Sequence, residues 1–127
     1  MVPFFVLTML AINVGPIGPT TLALEPQLAA SGSTVALTFG AGNAIYFSES
    51  HNAGLSFSAP VKVAEADIVP LTRHRGPRIA FSGGAIVISA VVGKKSSRGP
   101  HSHGLPTDSD LTVWLRSMTV RHGAKEA

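Results

Sequence analysis

Three arginines fall within six residues: Arg73, Arg75 and Arg78. A planar guanidinium meets a carboxylate through two parallel hydrogen bonds, so such a group suits an acidic ligand. It also suits a solvated basic loop. His101 and His103, with His74 upstream, invite a metal reading. Two histidines at i and i+2 in a Gly/Pro/Ser loop lack a third ligand at a suitable spacing. They read as solvated loop residues, and no metal site is expected. The carboxylates are scattered. Glu25 precedes a short strand, Asp67 lies in a connector, and Asp108 and Asp110 flank a polar loop. Each reads as solvated. Tyr46, the single tyrosine, sits in an apolar run and reads as a packing residue.

The elements that must position these groups are short strands. The 127 residues suit one domain. With 45% hydrophobic and 13% charged residues, 13 Gly and 9 Pro, the mix favours strands and turns. No 12-residue stretch shows a helical period. The net charge of +3 is spread over loops without interleaved aromatics, which does not make a nucleic-acid surface. The absence of cysteine excludes a disulfide scaffold and a thiolate metal site. Residues 1–12 are apolar and uncharged, too short to span a membrane as a helix. They read as an export remnant, within an N-terminal segment 1–19. That predicts a secreted or periplasmic protein with no transmembrane segment.

In chain order, Gly15 to Thr21 is a turn-rich connector. A strand near Glu25 to Ala30 leads to a Ser31-Gly32 turn. Thr34 to Phe39 is a strand, and Gly40 to Gly42 turns the chain. Ala44 to Ser48 is a strand, and Phe57 to Val63 closes the unit, with Pro60 suiting a sheet edge. Between the last two runs lies Ser50-His51-Asn52-Ala53-Gly54-Leu55-Ser56-Phe57. Ser50 and Asn52 can cap N–H groups inside a tight turn. Gly54 supplies a positive φ, Ser56 bonds back across the turn, and Phe57 starts the next strand with its ring in the core.

The second half repeats the first. Pro26 to Thr38 aligns with Pro77 to Ser89 at a constant offset of 51, matching Pro, Ala, Ser and Gly. Residues 94–109 are an inserted loop. Asp110 to Trp114 then matches the strand before the octapeptide, and Ser117 stands where Ser50 stood, 67 residues on. After Ser117 no second octapeptide appears, and 118–127 form an atypical tail.

The octapeptide resembles the Asp-box, Ser-x-Asp-x-Gly-x-Thr-Trp, of sialidases and related bacterial-neuraminidase-repeat β-propellers. Asn52, Ser56 and Phe57 replace the Asp, Thr and Trp of that pattern. With the repeat, residues 20–117 are similar to two successive four-stranded blades. The resemblance implies an all-β fold, as a fragment of a β-propeller. Such propellers usually have six or more blades, so it also implies a frame truncated or shifted near Met118. The parent would be a glycoside hydrolase that removes terminal sialic acids with a Tyr–Glu pair, an Asp acid/base and three arginines, and no cofactor.

Carried over, Arg75 and Arg78 become the carboxylate contacts, at the start of an inner strand. The family's first arginine precedes the first box in an Arg-Ile-Pro setting, whereas Arg78-Ile79-Ala80 follows it. Tyr46 falls on an outer strand rather than on the catalytic face. The box residues Ser50, Asn52, Gly54, Ser56 and Phe57 are structural and lie on the outer rim. Lys94, Lys95 and Arg98 suit acidic glycans or simply solubility.

Three readings follow. The chain is a piece of an exo-sialidase, inactive alone; or a non-catalytic propeller that binds glycans or proteins; or a degenerate reading frame. Open blade edges predict self-association and poor solubility.

Overall fold

The computed structural model describes residues 22–95 and 111–119. Within them the protein is all-β, with no helix, in two antiparallel sheets. The first sheet is a meander of β1 (Leu24–Ser31), β2 (Thr34–Ala41), β3 (Ala44–Ser50) and β4 (Val61–Glu65). The second is a meander of β5 (Arg78–Ser82), β6 (Ala85–Gly93) and β7 (Leu111–Thr119).

The repeat appears as structure. Ser31 pairs with Thr34 and Ala29 with Ala36; at the same offset, Ser82 pairs with Ala85 and Ala80 with Val87. The turns share one chemistry. Gly32, Gly42 and Gly83 each open a two-residue hairpin at φ +59°, the first position of a II′ turn, whose twist matches the strands it joins. The Gly40–Gly42 turn of the sequence reading is therefore narrower: β2 runs through Ala41, and Gly42-Asn43 makes the turn.

Alternation along each strand decides the core. Ala36, Ile45, Phe47 and Val63 of the first sheet meet Ile86, Ile88 and Ala90 of the second. Ile79, Phe81, Trp114 and Met118 pack around them. Arg116 Nη1 donates to Val63 O across the two sheets at 3.0 Å. The connector is tied down by a two-way bridge between Ile68 and Gly93.

Three expectations change. Phe57 starts no strand; it sits half-buried in a loop outside the inter-sheet core, and β4 begins at Val61. β7 continues through Met118 and Thr119, which the sequence reading placed in the tail. Its register also differs. Val35 pairs with Ser50, and Ile86, the counterpart of Val35, pairs with Met118. Met118, not Ser117, thus occupies the place of Ser50. A one-residue slip turns every side chain to the other face, and here it puts Met118 on the core.

The two meanders differ in size: four strands against three among the described residues. The N-terminal segment 1–19, most of the loop 94–109 with Arg98, His101, His103 and Asp108, and Asp110 lie outside the described residues.

Candidate functional site

The strand directions give the molecule two ends. At one end are the Gly32-Ser33 and Gly83-Gly84 turns and the C-terminus of β3. At the other are the start of β1, the Gly42-Asn43 turn, the end of β4, the start of β5 and the end of β6.

The octapeptide occupies the first end. Ser50 Oγ accepts from Gly54 N at 2.9 Å and Asn52 N at 3.4 Å, and donates to Asn52 Oδ1 at 2.8 Å. Asn52 Oδ1 also accepts from Ser56 N at 3.0 Å, while Asn52 Nδ2 donates to Ser56 Oγ at 2.7 Å. The loop closes where Ser58 N donates to Glu49 O at 2.8 Å and Ser48 Oγ donates to Ser58 O at 2.6 Å. Gly54 takes φ +85°, a conformation glycine adopts freely. Ala53, at φ +59°, is strained, and its N–H donates to Ser33 O at 2.8 Å, tying the loop to the β1–β2 turn. The side chains of Ser50, Asn52 and Ser56 are thus bonded to one another and to amides of the loop itself.

The charged end is different. Arg73, His74, Arg75 and Arg78 are exposed in and after the turn that leads into β5. Arg75 N donates to Thr72 O at 2.9 Å, which shapes that turn. Gly76 is buried against Glu25, and a Cβ there would collide with the Glu25 Cβ. Glu25 itself is half-buried and takes φ +54° directly before Pro26, at a bulge in β1. The starts of β1 and β5 thus meet at Glu25 and Gly76, two residues before Arg78.

At the same end, Glu65, Asp67, Val92, Lys94 and Thr112 line an open cleft of about 680 Å³. Asp67 Oδ2 accepts from Lys95 N at 3.2 Å. Lys62 and Glu65 form an exposed ion pair at the end of β4. The hydrogen bond and charge of Glu65 raise the Lys62 amine, and those of Lys62 lower the Glu65 carboxyl. Neither Glu65 nor the cleft was visible in the sequence, because each depends on where the sheets end.

Tyr46 stacks on Phe39, its partner across β2 and β3, with centroids 5.6 Å apart and planes 12° from parallel. Its neighbour on β4 is Lys62. Among the described residues no three His, Asp or Glu are grouped to hold a metal ion, and no helix is long and apolar enough to cross a membrane. Comparison with protein-family models, with curated proteins and with solved structures finds no match.

Proposed function

We propose that the chain is part of a sialidase-like β-propeller, and that its charged end binds an acidic sugar through Arg75 and Arg78. The observation that carries this reading is the separation of the two ends. The Ser50, Asn52 and Ser56 side chains of the octapeptide bond within its own loop at one end. Two exposed guanidiniums lie at the other. The repeat supports it too, since two meanders with one hairpin register stack face to face as neighbouring blades do. A sialic acid carboxylate is a natural partner for a planar guanidinium.

The parent activity in this reading is exo-α-sialidase-type hydrolysis outside the cell, and this chain alone is inactive. A specific observation favours the non-catalytic alternative for the chain itself. The one tyrosine stacks on Phe39 and has Lys62, not a carboxylate, as its neighbour on β4, unlike the Tyr–Glu pair that the resemblance implies.

The test is an NMR titration with sialyllactose and with lactose. Sialyllactose is expected to shift amides of residues 73–78 at millimolar concentration, and lactose is not. Arg75→Ala and Arg78→Ala should each weaken the response about tenfold or more, in line with about 1.5–3 kcal/mol for a hydrogen bond to a charged group. Equal response to both sugars overturns the carboxylate reading. Release of the fluorophore from a sialoside substrate by the pure chain overturns the inactive one.

A further inference from the structure

The core between the sheets does not close at the octapeptide end. The β3–β4 pairing stops at Phe47–Val61, and β7 has no fourth strand beside it among the described residues. At that corner Phe47, Glu49, Val61, Ile86, Met118 and Thr119 line a groove of about 560 Å³. A site of that size holds a small organic molecule. Its floor is apolar: Phe47 and Ile86 belong to the shared core, and Met118 packs against it.

Glu49 differs in kind from this floor. Ile45, Phe47 and Glu49 alternate onto one face of β3, and Glu49 pairs with Ala36, which is itself in the core. A position that register assigns to the core thus holds a carboxylate. It is the one charged side chain among the described residues that line the groove, and it is 25% exposed. His51 Nε2 lies 3.3 Å from Glu49 Oε1 and balances that charge only when protonated. Arg116, opposite Ile88 on β7, is turned to Val63 O and does not line the groove.

We infer that this groove binds an organic cation, with its apolar body on Phe47, Ile86 and Met118 and its ammonium on Glu49. The carboxylate decides the class. A neutral apolar ligand would strip water from Glu49 without replacing it, and an anion would be repelled. An ammonium supplies charge-assisted hydrogen bonds, and the open rim lets it keep part of its hydration. The groove lies at the end opposite Arg75 and Arg78, so it stands apart from the sugar reading.

An NMR titration of the full chain with phenethylammonium and with the neutral phenethyl alcohol tests it. The ammonium should shift the methyls of Met118 and Ile86 with a Kd of about 1–10 mM, while Leu28 and residues 73–78 stay unmoved. The alcohol should bind about tenfold more weakly. Glu49→Gln keeps the shape of the side chain. It should weaken the ammonium about tenfold and leave the alcohol unchanged. Val61 is 53% exposed and outside the shared core, so Val61→Phe narrows the groove without emptying the core. It should weaken both probes several-fold. Equal affinity for the two probes, or no shift at Met118, overturns the inference, as does an ammonium response that survives in Glu49→Gln. So does binding seen only when residues 120–127 are removed, which assigns the groove to the chain's own end.

Discussion

Asn52 uses both ends of its side-chain amide, and this separates it from a generic turn residue. Its oxygen accepts from Ser56 N and from the Ser50 hydroxyl, and its nitrogen donates to Ser56 Oγ. Asn52→Ala removes all three bonds. At about 1 kcal/mol each net, and less where exposed, the loss is about 1–2 kcal/mol by urea denaturation. Asn52→Asp keeps the accepting oxygen, and the Ser56 hydroxyl can turn to donate to the other. Its expected cost is under about 0.5 kcal/mol; a loss equal to that of alanine would show that the Nδ2 donor is essential.

The exposed Lys62–Glu65 pair gives a pH signature. Lys62 holds the folded Glu65 carboxyl below the usual carboxylate range, so its contribution is present above that range and is lost as pH falls through the folded pKa. Glu65 holds the folded Lys62 amine above the usual lysine range, so its contribution is lost only as pH rises through that raised pKa. Glu65→Gln should therefore lower stability slightly at pH 7, approach the parent as acid protonates the lowered Glu65 carboxyl, and show no effect at pH 7 in 1 M salt. A difference that persists in high salt would point to packing rather than charge.

At the scale of elements, the sequence was readable where local chemistry decides. Gly32, Gly42 and Gly83 mark turns that any hairpin with this strand twist needs, and Gly32 and Gly83 stand at the 51-residue offset. The capping roles of Ser50, Asn52, Gly54 and Ser56 were readable for the same reason. What stayed hidden depends on distant contacts. Met118 looked like the start of a tail, since nothing local shows that β7 pairs one residue out of step with β3. Glu25 looked like a solvated turn residue, since its positive φ is imposed where β1 meets the turn before β5. Gly76 tests that meeting. It has no positive φ, so alanine there costs nothing in backbone conformation, and the collision with Glu25 Cβ is the whole effect. Gly76→Ala is expected to lose about 1–3 kcal/mol, the usual penalty for overpacking. Glu25→Gly in the same chain should recover most of it. Additive losses in that double-mutant cycle would break the link between the two strand starts.

At the scale of the whole molecule, the question is whether two sheets make one folding unit. Their inner faces share a single core, with Ile45 and Phe47 on one side and Ile86 and Ile88 on the other. Neither sheet can bury its inner face alone, and a small all-β unit that loses its partner sheet has too little apolar burial to offset chain entropy. Arg116 reinforces the joint through Val63 O. Unfolding should therefore be one cooperative transition. The chain carries its own two probes. Trp114, the only tryptophan, packs at the core from the second sheet, and Tyr46, the only tyrosine, stacks on Phe39 in the first. Tryptophan fluorescence and the near-ultraviolet tyrosine band should give the same urea midpoint. Ile88 is 0% exposed, and Ile88→Ala should cost about 3 kcal/mol. Because the core is shared, that change in the second sheet should move the tyrosine midpoint in the first by the same amount. Two separate midpoints, or a tyrosine signal indifferent to Ile88→Ala, would mean that the sheets fold as independent blades that merely touch.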